Sequence, residues 1–240
     1  MTPHAATLVR IGIPALALLV VALVGFGVWR VSGSRGATFY ALGSGAWLAF
    51  SAALGLGDFL TDFHAMPPRL LLLMGPTVGL PFLLAFSRVG CALANGPVAF
   101  LIGFQAFRLP LELVMHQAAR EGTMPEQMTY TGSNFDIVTG VSAIVVAALA
   151  SADLAPRWLL LAWNALGSLL LVTVVVIAVV SLPAFAAFGS EPRRLNTWIA
   201  HFPFVWLPAG LVSAAILGHL LLWRRLWSPG VHGSAPHLGG

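Results

Sequence analysis

The chain has 240 residues, of which 58% are hydrophobic and only 8% are charged, and its mean hydropathy is +0.90. This composition excludes a water-soluble globular domain and predicts an integral membrane protein whose partner is the lipid bilayer. All 12 basic residues are arginines, which excludes a retinal or pyridoxal Schiff base and a P-loop lysine. Because the arginines lie scattered, mostly at the ends of apolar segments, the net charge of +4 indicates interfacial anchors and no nucleic-acid surface.

Seven apolar segments are predicted as transmembrane helices, since about 20 helical residues cross a hydrocarbon core roughly 30 Å thick. They are residues 11–28, 38–56, 70–86, 97–118, 137–150, 158–180 and 203–222. The sequence therefore predicts an all-α fold, a polytopic transmembrane helical bundle of about seven spans, in a single domain of residues 1–227. Residues 228–240 are rich in glycine and proline and predict a disordered C-terminal tail.

Arginines at the segment ends predict the orientation of this bundle. Arg30 and Arg35 follow the first span whereas only Arg10 precedes it, so the positive-inside rule places the N-terminus outside and the C-terminus inside. The majority over all connections is narrow: Arg30, Arg35, Arg88, Arg157, Arg224 and Arg225 inside against Arg10, Arg69, Arg120, Arg193 and Arg194 outside. The outer connections are the longer ones, which is typical of loops that cover or bind something.

Two smaller features also give expectations about packing. Gly75 and Gly79 in the third span, interrupted by Pro76 and Pro81, are typical of close helix packing and also of broken transport helices, and we favour packing. The single cysteine, Cys91, excludes an intrachain disulfide, and we expect it to be a small buried thiol.

The fourth predicted span carries polar residues at steps of three or four: Gln105, Arg108, Glu112 and His116. At 3.6 residues per turn they form one narrow stripe, which must face protein or water. Arg108 falls near the middle of the bilayer and His116 near its outer boundary, so the stripe predicts a polar pocket that opens outward. An unpaired charge at this depth costs about 2.5 kcal/mol or more, and Glu112, one turn away, is the expected partner of Arg108. A purely structural ion pair is the alternative.

Further polar residues are predicted on the same outer face. We expect a ligand pocket formed by Gln105, Arg108, Glu112, His116, Asn134, Asp136 and His201. Asn134 also fits a helix N-cap with Asp136 in the first turn, and His201 also fits an interfacial aromatic belt. In the inner half, Asn164 and His219 are expected to hydrogen-bond to each other across two helices.

A metal site is a second hypothesis for the outer face. Asp62, His64, His116 and His201 offer imidazole and carboxylate ligands suited to zinc or iron, and His116 with His201 could hold a haem. The sequence contains no H-x-x-x-H or H-E-x-x-H motif, so this hypothesis depends on inferred proximity alone.

Two segments carry a resemblance to other proteins. Residues 107–140, FRLPLELVMHQAAREGTMPEQMTYTGSNFDIVTG, and residues 201–208, HFPFVWLP, resemble segments of bacterial multi-pass membrane proteins that are themselves uncharacterised. The resemblance covers about a fifth of the chain. It implies a bacterial inner (plasma) membrane as the location and brings no activity with it.

These observations predict a multi-pass inner-membrane protein whose polar pocket binds a small molecule, a lipid headgroup or an ion, as a transporter would. Two alternatives stay open. One is a membrane-embedded enzyme that depends on a metal or a haem, and the other is a structural or accessory subunit of a larger membrane complex. Protein partners are not predicted.

Overall fold

The computed structural model describes residues 5–57, 59–63 and 65–228, and all regular secondary structure in these ranges is helical. The α-helices are α1 Thr7–Leu56, α2 Arg69–Phe86, α3 Arg88–Ala94, α4 Val98–Gly103, α5 Arg108–Arg120, α6 Ile137–Ser151, α7 Arg157–Val180 and α8 Ser213–Trp227. A 3₁₀ turn, Phe104–Phe107, joins α4 to α5, and a π-helix, Leu207–Val212, leads into α8. The all-α prediction is confirmed for the described residues. The predicted tail lies outside them, except for Ser228.

Five helical stretches are long and apolar enough to cross a membrane: Thr7–Leu56, Arg69–Phe86, Val98–Arg120, Arg157–Val180 and Leu207–Trp227. A sixth, α6, is apolar but has only 15 residues. These stretches are compatible with the predicted membrane protein.

Helix α1 is a hairpin of two antiparallel arms that reverses at Gly33. A methyl group added to Gly25 would lie 3.4 Å from Cδ1 of Tyr40, whereas a straight helix would place these residues about 22 Å apart along its axis. Gly33 has φ 67° and ψ −170°, a conformation that is essentially restricted to glycine. The first two predicted spans are therefore the two arms of one hairpin.

The two arms of α1 are buried to different extents. The first arm buries a stripe at steps of three or four residues: Val9, Ile13, Ala17, Val20, Val24 and Val28. Two tryptophan hydrogen bonds connect the second arm to the π-helix and the residue before it. Trp47 Nε1 donates to Ala209 O, and Trp206 Nε1 donates to Leu48 O. The first arm thus belongs to the core, and the second lies against the π-helix.

The last helix is the centre of the bundle. In the most apolar 18-residue stretch of Leu207–Trp227, 67% of the residues are buried, compared with 28% in the corresponding stretches of Arg69–Phe86 and Arg157–Val180. Helix α8 contacts α2, α3, α4 and α7. The site described below lies beside this central helix.

Helix α2 continues through both of its prolines. Pro81 has no N–H to donate to the carbonyl of Thr77, and Ser213 Oγ of α8 donates to that carbonyl instead. Gly75 and Gly79 have no heavy atom within 4 Å of an added methyl group, so the prediction that they pack closely is wrong.

Cys91, in α3, is exposed, so the expectation of a buried thiol is also wrong. The short helix that carries it contacts α1, α2 and α8, and Nη2 of Arg224 donates to the sulfur of Cys91. Its exposure makes Cys91 a natural reporter for the orientation of the chain.

The approach of α6 to α5 positions the polar residues. Gly140 lies so close to α5 that an added methyl group would be 2.4 Å from the backbone nitrogen of Leu109. Only glycine allows the two backbones to approach to this distance. The N-terminus of α6 is thereby held beside the beginning of α5, where Arg108 lies.

Candidate functional site

The polar stripe of the fourth span faces the interior of the protein, as predicted. Gln105 and Arg108 are each 1% exposed, and Glu112 is 2% exposed. His116 is half-buried at the other end of the stripe. The charged groups therefore contact protein and not lipid.

Arg108 pairs with Asp136, and the prediction that Glu112 is its ion-pair partner is wrong. Nη1 of Arg108 lies 2.8 Å from Oδ1 of Asp136, and the two side chains are 1% and 6% exposed. The partner comes from another helix because Gly140 holds the start of α6 against α5. A buried pair of this kind offsets the large desolvation cost of both charges.

Glu112 is held by an amide instead. Nδ2 of Asn134 donates to both carboxyl oxygens of Glu112, at 3.0 and 3.1 Å, and also to Met128 O. Oδ1 of Asn134 accepts from the backbone N–H of Asp136. Asn134 thus connects the side chain of Glu112 to the backbone of Asp136. Helix α6 begins at Ile137 with Asp136 directly before it, and the side chain of Asn134 accepts the N–H of Asp136, as an N-cap side chain does two residues ahead.

The remaining predicted pocket residues, Gln105, His116 and His201, contact other parts of the bundle. Nε2 of Gln105 donates to Ala215 O of α8, and Oε1 of Gln105 has no partner among the described residues. The ring of His116 stacks on Tyr130 with ring centres 4.7 Å apart. His201 lies against the end of α1, where an added methyl group on Gly55 would be 3.3 Å from its carbonyl carbon.

The metal hypothesis finds no support in the described residues. Asp62 forms an ion pair with Arg69 at 2.9 Å, and His64 lies outside the described ranges. No three or more His, Cys, Asp or Glu side chains within those ranges form a group that could hold a metal ion, so Asp62, His116 and His201 do not form a zinc or iron site together. We derive no haem site from His116 and His201.

An apolar cavity of about 60 Å³ lies against the ion pair. Among the described residues, Arg108, Glu112 and Asp136 are its only charged lining residues, and 19 apolar residues from α2, α5, α7, the π-helix and neighbouring segments complete the wall. Nε and Nη2 of Arg108 have no hydrogen-bond partner among the described residues. Buried donors are almost always paired, so these two nitrogens are donors that an acceptor could still occupy.

Asn164 and His219 form a second group of buried polar residues. Nδ1 of His219 lies 2.7 Å from Oδ1 of Asn164, and Nδ2 of Asn164 donates to His219 O, as the sequence predicted. Sequence reasoning missed Thr139, which approaches Gly167 as His219 does. A methyl group on Gly167 would lie 2.6 Å from His219 Cε1 and 3.1 Å from Thr139 Cγ2. The sequence feature that could have identified Thr139 is its spacing of three residues from Asp136, which places the two side chains on one face of a helix.

Comparisons of the chain with protein-family models, with curated proteins and with solved structures find no match. The geometry of the site is therefore what supports a function.

The ion-pair assignment predicts the outcome of a double-mutant cycle. Arg108→Ala leaves the buried Asp136 uncompensated and is expected to lower the free energy of unfolding by about 3–5 kcal/mol. Adding Asp136→Ala to Arg108→Ala should recover part of this loss, with a coupling energy of about 1–3 kcal/mol. Denaturant titration in mixed micelles measures both values.

The control is the cycle of Arg108→Ala with Glu112→Ala. Its coupling energy should be smaller, because Glu112 accepts its hydrogen bonds from Asn134. A larger coupling of Arg108 with Glu112 than with Asp136 would contradict the assignment.

Proposed function

We propose that the chain is a seven-span protein of a bacterial inner membrane, with its N-terminus outside and its C-terminus inside. Seven helical segments support this number: the two arms of α1, then α2, α4 with α5, α6, α7, and the π-helix with α8. The arginine majority supports the orientation. In this arrangement the connection containing Cys91 is inside and the connection containing Ser133 is outside.

Cysteine labelling tests this orientation. The native Cys91 is exposed, and we expect a membrane-impermeant maleimide to modify it in inverted vesicles and not in intact spheroplasts. The matched control is Cys91→Ala with Ser133→Cys, because Ser133 is an exposed residue of the opposite connection. That variant should react only in spheroplasts. The reverse pattern for the two proteins would overturn the orientation.

We further propose that the bundle binds a small molecule, or the polar group of a lipid, at Arg108. The observation that carries this proposal is the pair of unpartnered donors, Nε and Nη2, on a guanidinium that is 1% exposed and lines a cavity. Because a guanidinium donates in a planar fork, it suits the oxygens of a carboxylate or a phosphate. The cavity of about 60 Å³ is much smaller than the roughly 300–1,000 Å³ of a typical ligand pocket, so it would hold only the oxygen-bearing group of such a molecule.

A role in transport is consistent with the buried polar residues beside the site. Asp136, Thr139 and His219 are all buried. Buried polar and ionisable residues within membrane helices are typical of transporters.

Native mass spectrometry of the gently extracted protein tests ligand binding. We expect a bound species on the wild type and on the Arg120→Gln control, since Arg120 is exposed. Its occupancy should fall about tenfold or more in Arg108→Gln, because a charge-assisted hydrogen bond is lost. The double variant Arg108→Gln, Asp136→Asn avoids a stranded carboxylate and should show the same loss.

Two added probes distinguish the source of the ligand. Delipidated protein that binds decanoate and not acetate indicates a lipid-like molecule, whereas binding of both indicates a small carboxylate. Equal occupancy in the wild type and in both Arg108 variants, or no bound species and no binding of either probe, would contradict the proposal.

A scaffold is the second candidate function, as in an accessory subunit. The observation that favours it is the connection of Asn134 to Glu112, Met128 and Asp136, which ties the outer connection to α5. A scaffold requires the stability loss of Arg108→Ala without any bound species on the wild type. The mass spectra and the double-mutant cycle together therefore separate the two functions.

A further inference from the structure

The two carboxyl groups of the site have different surroundings. Asp136 faces the guanidinium of Arg108 at 2.8 Å, so its negative charge is compensated by a full positive charge. Glu112 receives one neutral donor, the amide nitrogen of Asn134, which it shares with Met128 O. One guanidinium is thus already engaged with one carboxylate, and the second carboxyl group has only an amide.

Among the described residues, the elements around Glu112 supply no arginine besides Arg108. On its own helix the neighbouring ionisable groups are Arg108 and His116, and His116 stacks on Tyr130. Asp136 directly precedes α6, and α8 contributes His219, which is bound to Asn164. The buried residues of the first arm of α1 are apolar. With Glu112 and Asp136 both ionised, the two carboxylates would share the single charge of Arg108, and this cluster of three would carry a net negative charge.

An uncompensated negative charge is costly in this position. Glu112 is 2% exposed, and the cavity that it lines is otherwise apolar except for Arg108 and Asp136. A buried ion without a counter-ion costs several kcal/mol, and such a group becomes neutral instead. Two carboxyl groups in one site with such different surroundings are typical of a pair in which one is ionised and one protonated.

We propose that Glu112 is a binding site for one exchangeable proton, which it holds at neutral pH beside the fixed ion pair of Arg108 and Asp136. The cavity of about 60 Å³ is large enough to hold water. Water there accepts from the free donors of Arg108 and exchanges the proton with Glu112. On release the O–H bond of the carboxyl group breaks, the proton passes to water, and a carboxylate remains.

The proton on Glu112 also affects ligand binding at Arg108, and this part of the inference rests on the proposed function. With Glu112 protonated the cluster is neutral, and Nε and Nη2 of Arg108 can donate to the oxygen of an anionic group. With Glu112 ionised the cluster is negative and repels the same group. Uptake of a proton and binding of an anionic ligand would therefore favour each other.

Infrared spectroscopy of the delipidated, ligand-free wild type tests the proton site. We expect a carbonyl band of a protonated carboxyl group at neutral pH that shifts in heavy water and disappears at alkaline pH. Protein labelled with ¹³C at the glutamate side-chain carboxyl carbon should show the band at lower frequency. Of the four glutamates, Glu112 is the buried one, so the label assigns the band without a mutation.

Variants give an independent assignment. Glu112→Gln preserves the shape of the side chain and should lack the band, whereas Asp62→Asn, which alters a partly exposed ion pair, should retain it. A wild type without the band, a band that ignores the glutamate label, or a band that persists in Glu112→Gln would overturn the proposal. Because no ligand is present, these outcomes are independent of whether Arg108 binds one.

Discussion

The burial of Arg108 is the constraint on which the rest of the site depends. A guanidinium inside a membrane bundle requires a carboxylate partner, and Asp136 supplies it from the next helix. Gly140 makes this contact geometrically feasible, because no larger residue fits between α6 and the backbone of α5. Asn134 then fixes the connection that leads into α6. The connection that leads into α6 and the helices α5 and α6 are thus held together by the ion pair and the hydrogen bonds of Asn134.

The pair also separates the roles of the charged residues. Asp136 is committed to Arg108, so Glu112 is free to change its protonation state. Arg108 uses one nitrogen for Asp136 and retains Nε and Nη2 for an acceptor in the cavity. A fixed ion pair, a proton-binding carboxyl group and two open donors on an apolar wall together form a site suited to bind an oxygen-bearing group in low dielectric.

Patterns within one helix could be read from the sequence. The spacing of Gln105, Arg108 and Glu112 depends only on the helical repeat, and these residues are buried on one face as predicted. The pairing of Asn164 with His219 followed from the rule that polar side chains in adjacent spans hydrogen-bond to each other. The partner of Arg108 did not follow, because it depends on how α5 and α6 cross. Gly140 sets this crossing. A single glycine within an apolar segment does not show, from the sequence alone, which helix it will contact.

The central claim is that Arg108 and Asp136 are in contact inside the bilayer. Solid-state NMR in lipid membranes tests it through dipolar dephasing between arginine side-chain ¹⁵N and aspartate carboxyl ¹³C. The measurement is made in Asp62→Asn, since Arg69 and Asp62 form the other arginine–aspartate ion pair of the described residues. We predict contact-range dephasing that disappears when Asp136→Asn is added. Absence of dephasing in Asp62→Asn alone would contradict the account.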